Sequence, residues 1–485
     1  MVMATQEREL RFEHRMSDSE ALMWNIEKDP WLNPSGAAVT ILDRPLDRDN
    51  FMQTMRAATA AMPRLFERAV PGIGRLATPV WVPDAEFDLD YHVRFVRLPK
   101  PGTERQLFDM AAELYQEPFD RTRPLWRNVI IEGLRGGKSA IYSIVHHAVA
   151  DGIGQMRMAE LSQQLARDDP PPDDVDLDAV IADAVAAHAP RQIGGDLAEN
   201  VFESTVGSVA HIARRQIGIA RRLADEILTW PTDPDRAAST VEDLVNGVKA
   251  TVGVALGSGD EVRGGSPLWA NRSRRRHFEA VRVPLDDLKA ASKRVDATIN
   301  DLFVAAVVEG AVRYHSDRDV EVDAFNTSFV LSTRTDDAIG GNSFTPVPVQ
   351  VAGEPMPLAD RVAGISARLA AKREGMTGGA GLGALSGVAK LLPTSVVTRA
   401  ARARAARFDF ATSNLRGAWF PLYISGALVL DVLSMGPVAG TPCNATAMSY
   451  NGTFGVGLFI DPIAIEAPAD FRHAIGESFD DIIAL

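Results

Sequence analysis

Only one residue in 485 is cysteine, Cys443. A single thiol excludes an intramolecular disulfide and a cysteine-based structural zinc site, and it fits a reducing, cytosolic compartment. Aromatic residues are sparse, at 7%. No uninterrupted apolar run approaches the ~20 residues a helix needs to cross a bilayer. The longest candidate, Trp419 to Leu430, is broken by Pro421 and Gly426 and stops at Asp431, the pattern of two strands and a turn. Met1 to Arg15 is charged and has no apolar stretch of the kind a secretion signal needs. Positive charge is also short: 51 Lys and Arg against 64 Asp and Glu give a formal net charge of −13. Nucleic acid demands a basic face, so it is excluded as the main partner.

What is present is the composition of an ordinary globular protein, 46% hydrophobic and 24% charged, with length for two or three domains. Ser17 followed by Glu20 has the pattern of a capping box opening a helix. Ala37 to Leu42 alternates as a strand does. Residues 49–62 place Phe51, Met55, Ala58 and Met62 on one helical face. A helix is expected over 104–117, then strands from Trp126 to Glu132 and from Ser139 to Val145. The turn between them ends Gly136-Gly137-Lys138-Ser139, like the tail of a phosphate loop. Glu132 stands where that loop needs its first glycine, so the segment is read as a turn. A helix from about Gly154 to Arg167 ends in the acidic, proline-rich run Asp168 to Asp174. The domain junction is placed after it, giving segments 1–190, a helical crossover 191–260, and 261–485. The last segment shows a strand at 278–283, a helix at 285–295 and a helix capped by Thr298 and running to Tyr314. Strands at 321–332, 344–352, 421–431 and 445–460 follow. This mixed order makes the class α/β or α+β.

The chemistry is concentrated where the second strand runs into Val145-His146-His147-Ala148-Val149-Ala150-Asp151-Gly152. Adjacent histidines at a strand end point to opposite sides, so one can face a cleft while the other packs inward. Strand-to-loop junctions are where catalytic groups are commonly presented. Gly152 permits a backbone conformation that other residues resist. As metal ligands the histidines are poorly arranged, because they diverge and no third His or Glu follows at helical spacing; no metal site is read here. An arbitrary His-His pair is more often packing beside a helix-capping aspartate, so the motif needs support from the rest of the chain.

That support exists. His146-His147-x-x-x-Asp151-Gly152 is similar to the active-site motif of the chloramphenicol acetyltransferase and condensation-domain superfamily. Within it the chain resembles the bacterial wax ester synthase/diacylglycerol acyltransferases. The resemblance covers most of the chain. It is carried by Met16 to Ala21, by Phe119-Asp120-Arg121-Thr122-Arg123-Pro124-Leu125-Trp126 and by Thr298-Ile299-Asn300-Asp301-Leu302. It continues in Leu331 to Arg334 with Gly341-Asn342, and in Ser449-Tyr450-Asn451-Gly452 with Gly455 and Asp461. One place departs. The family shows Ser-Asn-Val-Pro-Gly-Pro where this chain has Ser413-Asn414-Leu415-Arg416-Gly417-Ala418, without the prolines, which changes a loop expected to line the acceptor end.

The resemblance implies two chloramphenicol-acetyltransferase-like α/β domains around a central tunnel. It implies His147 as general base, since imidazole titrates near neutral pH. His146 is then structural, and Asp151 pairs with Arg334 to stiffen the loop rather than relay a proton. Asn300 and Asp301 cap a helix and scaffold the site, Pro124, Leu125 and Trp126 anchor a strand, and Asn342, Ser413 and Asn414 lie near substrate. The donor implied is a long-chain acyl-CoA, a co-substrate, with no bound cofactor and no metal. The acceptor implied is diacylglycerol or a fatty alcohol. Two other readings stand beside this one: condensation from a carrier-protein thioester, and a catalytically silent lipid-binding protein of the same fold. Basic stretches from His211 to Leu228 and from Leu382 to Phe408 suggest contact with the inner membrane face or a lipid droplet, and the run Gly378 to Ala384 suggests a lipid channel lining. No motif specifies oligomeric state.

Overall fold

The computed structural model describes residues 13–71, 78–188, 265–332, 344–375, 394–437 and 439–485. Two six-stranded sheets form its frame. In chain order the strands are β1 (Ser35–Leu42), β2 (Glu67–Val70), β3 (Val80–Pro83), β4 (Val93–Arg97), β5 (Trp126–Leu134), β6 (Lys138–His146), β7 (His277–Pro284) and β8 (Ala324–Ser332). They continue as β9 (Phe344–Ala352), β10 (Phe410–Arg416), β11 (Tyr423–Ile424), β12 (Ala427–Met435), β13 (Cys443–Tyr450) and β14 (Thr453–Ile460). The first sheet runs β11-β12-β1-β6-β5-β4, and the second β7-β14-β13-β10-β8-β9. Strands β2 and β3 make a separate ribbon.

Local chemistry explains the connections. Ser17 and Glu20 exchange the two hydrogen bonds of a capping box at the helix Asp18–Ile26. Gly136 and Gly137, with φ of 82° and 72°, turn β5 into β6, which is the turn expected for that segment. The segment 445–460, read as one strand, is two: β13 and β14 pair antiparallel across Asn451-Gly452, whose φ values of 42° and 84° suit a tight hairpin turn. Likewise Trp419 to Leu430 contains β11, a turn at Ser425-Gly426 and the start of β12.

The two sheets are not sequential halves of the chain. β12, far beyond residue 261, pairs antiparallel with β1, so Ala37 faces Met435 in the first sheet. The second sheet lies directly against that strand. A Cβ on Gly457 of β14 would fall 2.0 Å from the Ser434 carbonyl oxygen, and one on Gly455 would fall 3.2 Å from Leu433 Cδ2. Glycine at both positions lets the strands meet.

A helix, Glu104–Gln116, fills the angle between the sheets. Its Leu107, Phe108, Ala111, Ala112 and Tyr115 are buried in one cluster with Val39, Ile131, Phe278 and Phe459. Each large apolar side chain so buried contributes roughly 1.5–3 kcal/mol. Arg105 reaches Glu279 at 2.8 Å, and Arg282 joins Glu104 to Asp431 across the same seam. The second core surrounds the helix Ile299–Ser316, which is buried along most of its length and crosses Pro468–Ala484 where Gly310 meets Ile475.

Candidate functional site

Strand β6 delivers the histidine pair, and its neighbours fix where it ends. His146 N–H donates to the Leu125 carbonyl at 3.0 Å. Leu125 and Trp126 are buried, and the Trp126 indole N–H donates to Leu65 O at 2.6 Å. Trp126 stacks on His92 with ring centroids 4.7 Å apart. His92 donates from Nδ1 to Trp126 O at 2.8 Å, and burial keeps its ring neutral, with the pKa pushed down to about 4. The Pro124-Leu125-Trp126 block therefore acts through packing and backbone.

Beyond His146 the chain turns tightly. Val149 N–H donates to His146 O at 2.9 Å, and Ala148 N–H donates to His146 Nδ1, also at 2.9 Å. A ring nitrogen that accepts carries no proton, so the imidazole hydrogen is on Nε2. Nε2 faces Glu27 Oε2 at 3.4 Å, long for a hydrogen bond but close enough for strong attraction. Glu27 ends the helix Asp18–Ile26. Arg121 lies 3.7 Å from the same oxygen, donates Nη2 to Trp24 O at 2.8 Å and covers the Trp24 ring at 3.4 Å. Trp24 in turn packs edge-on against His146. Burial works to raise the Glu27 pKa, but His146 and Arg121 outweigh it and hold the carboxyl below its usual range. Tyr115 completes this side, donating its hydroxyl to Ser35 O at 2.7 Å, and Ser35 stands opposite His146 in the β1–β6 register.

His147 follows and is half-buried. Asp151 is 5% exposed and caps the helix Gly152–Glu160, its Oδ1 accepting from Gly154 N–H at 2.9 Å. Its expected partner Arg334 lies outside the described residues, as does Asn342. The expectation for Gly152 needs correcting. Its φ is not in the left-handed region; what marks the position is proximity, since a Cβ there would sit 3.2 Å from Leu415 Cδ2.

That contact brings Ser413-Asn414-Leu415-Arg416 to the motif. The segment is not a loop but the end of β10, parallel to β13, with Ser413 opposite Thr446 and Arg416 opposite Ser449. Gly417 N–H then donates to Ser449 O at 2.9 Å, an approach so close that a Cβ would meet that oxygen at 2.7 Å. Tyr450 ties the same strand end to the first sheet: its hydroxyl accepts from Leu422 N–H at 2.9 Å and lies 3.1 Å from Val429 O.

Asp301 is buried and closes a capping box with Thr298 at the helix Ile299–Ser316, while Ser366 donates to its Oδ2 at 3.2 Å. Asn300 beside it is half-buried. Sequence reasoning passed over Glu27, Trp24, Tyr115 and His92. Arg121 stood inside a quoted motif and was the available signal; Glu27 belongs to no pattern.

Comparison with known proteins follows the same outline. Residues 16–303 match the family described as "Wax ester synthase/diacylglycerol acyltransferase catalytic domain", and residues 340–483 match "WS/DGAT C-terminal domain". A Mycobacterium tuberculosis protein named "Putative diacyglycerol O-acyltransferase" is 27% identical, over 97% of this chain and 93% of its own. Another of that organism with the same description is 30% identical over 84% of each. Among solved structures, the wax ester synthase/diacylglycerol acyltransferase from Marinobacter aquaeolei VT8 superposes with a TM-score of 0.60 at 19% identity, covering 97% of this chain and 100% of that one. The first condensation domain of the CDA synthetase gives 0.54 at 15% identity, with 96% of each chain covered. At these identities the structural likeness speaks for the fold, which is the mixed α/β, two-domain acetyltransferase-like fold expected from the motif.

Proposed function

This chain belongs to the wax ester synthase/diacylglycerol acyltransferase family and is an acyltransferase, and we propose that it moves a long-chain acyl group from acyl-CoA to the hydroxyl of diacylglycerol or a fatty alcohol, with His147 as general base. The observation that carries the assignment of the base is the commitment of His146. It is fully buried, with Nδ1 accepting from Ala148 N–H and Nε2 facing Glu27 at 3.4 Å, so it is turned away from any substrate. The half-buried His147 is the one of the pair that can. His147 takes the acceptor's proton as its oxygen attacks the thioester carbonyl. The tetrahedral adduct collapses, the carbon–sulfur bond breaks, and the CoA thiolate takes the proton back. Cys443 supplies no competing nucleophile, because it is fully buried and burial pushes its thiol pKa up.

Asp151 supports the site by capping, and an ion pair with Arg334 is its second proposed contact. Peripheral contact with a lipid surface fits an acceptor dissolved in lipid. No helix among the described residues is long and apolar enough to cross a membrane. The basic stretches proposed for that contact lie largely outside the described residues. The described helix Thr394–Ala405 sets Arg402 over Trp31 at 4.5 Å and 3.9 Å from Asp29, against the protein itself.

The test is release of CoA thiol from a long-chain acyl-CoA with and without hexadecanol or diacylglycerol. His147→Ala should lower turnover by ~10²–10⁴ with thermal stability unchanged. Near-normal turnover in the folded variant would remove His147 as base. A preference for acetyl-CoA or for amine acceptors would overturn the lipid reading. Chelation should leave the rate unchanged, and activity lost to EDTA and restored by zinc would contradict a metal-free step.

A further inference from the structure

Four arginines occupy five positions just before β7: Arg272, Arg274, Arg275 and Arg276, in a chain whose net charge is −13. The acids around them are already engaged. Asp461 accepts from the Ser273 N–H and, at 2.5 Å, from its hydroxyl. Glu279 takes His277 at 2.7 Å and Arg105 at 2.8 Å. Asp409 accepts from Ser266 N–H at 2.9 Å and Asn326 N–H at 2.7 Å. Among the described residues, none of the four arginines has a carboxylate within ion-pair distance.

The segment is nonetheless built rather than loose. Arg272 donates Nη1 to Gly440 O at 2.8 Å and to Ala405 O at 3.2 Å, pinning it to the end of the helix Thr394–Ala405. Arg274 and Arg275 are exposed. Arg276 is drawn inward, and among the described residues its hydrogen bonds go to local carbonyls, Ser273 O at 3.1 Å and Arg275 O at 2.7 Å. Burial, with Arg274 beside it, depresses its pKa although Tyr115 and Asp461 oppose the shift. A guanidinium withdrawn from water without an acid is costly, and an incoming anion would relieve that cost.

The place matters as much as the charge. Two residues on, Phe278 packs against Phe108 with centroids 4.9 Å apart, and its neighbour Phe459 packs against Tyr115 at 4.6 Å. Tyr115 lies within electrostatic reach of both Arg276 and Glu27, and its hydroxyl holds Ser35 opposite His146. Arg276 thus lies at the start of β7, the edge strand of the second sheet, within electrostatic reach of the Tyr115 side chain that steadies Ser35 beside the end of β6.

We propose that Arg274, Arg275 and Arg276 dock the phosphates of the CoA moiety at this edge, while the pantetheine arm carries the thioester to His147. CoA places a pyrophosphate and a 3′-phosphate far from its reacting carbon, and arginine forks suit phosphate oxygens. The proposal rests on the acyl-CoA reading above and adds the residues that recognise the donor.

The experiment compares Arg274→Gln/Arg275→Gln and Arg276→Gln with the parent protein. Steady-state kinetics use three donors carrying the same acyl group: acyl-CoA, acyl-3′-dephospho-CoA and an acyl N-acetylcysteamine thioester. Calorimetry follows the binding of CoA alone. KM for acyl-CoA should rise about tenfold or more, the loss of about one charge-assisted contact, with a far smaller change in kcat. The rise should shrink for the dephospho donor and be smallest for the truncated one, and CoA binding should weaken in parallel. Equal losses on all three donors, or none on acyl-CoA, would overturn the site. So would variants that lose binding to phosphatidylglycerol vesicles while keeping the parent's preference for acyl-CoA, since the patch would then serve a membrane. CoA binding that depends on these arginines in a protein that turns over no acyl-CoA would sink the acyl-transfer reading and leave the site.

Discussion

His146 spends both ring nitrogens on the protein, Nδ1 on Ala148 N–H and Nε2 on Glu27, so the turn that carries His147 is tied to the first helix of the chain. Glu27 is ionised in that setting, its pKa held below the value of a free glutamate near 4.5. A carboxyl whose pKa falls on folding stabilises the native state above its unfolded pKa, and the contribution is lost as pH falls through the folded value. Glu27→Gln should therefore cost about 1–3 kcal/mol at pH 7, with the difference from the parent closing in strong acid. Denaturant unfolding at both pH values checks this, and a gap that persists in acid would argue that shape rather than charge is at stake. The histidine pair is legible in the sequence because a strand pattern runs straight into it. Glu27 is not legible, because its partner is brought to it only by the fold and no local spacing marks the pair.

Between elements, a close approach is made where β14 lies on β12. A methyl group at Gly457 would collide with a backbone oxygen, which cannot rotate away. Gly457→Ala should destabilise by about 1–3 kcal/mol. Gly476, inside the helix Pro468–Ala484, would meet nothing within 4 Å, and Gly476→Ala should stabilise by roughly 0.5–1 kcal/mol. Opposite signs in one denaturation series are the result to look for; a neutral Gly457→Ala would mean that the strands can part freely. Elements of this kind are mostly readable in advance. The face of Phe51, Met55, Ala58 and Met62 is buried as its spacing predicts, since helical periodicity is local. The stretch around Arg416 reads as a loop from its family pattern and is a strand, because ladder pairing depends on β13 rather than on its own residues.

For the whole molecule, the exchange of β12 into the first sheet joins the two cores. Leu433 and Met435 of that strand sit in one cluster with Val39 of β1 and Phe278 of β7. The protein should therefore unfold in a single transition, with calorimetric and van't Hoff enthalpies equal. Two separated transitions in the scanning calorimeter would show that the halves are independent. Alternating apolar residues announce β12 as a strand, but period-two patterning gives the buried face and not the sheet, so this membership was beyond the sequence.

Synthesis gives the same strand another meaning. On the ribosome β1, β5 and β6 emerge early, and they can pair with one another at once. The other edge of β1 has no strand to close it until Met435 has left the exit channel. An unpaired edge is a template for wrong partners. The sheet that bears the histidine pair is thus begun before any strand of the second sheet and cannot be closed until β12 has been made.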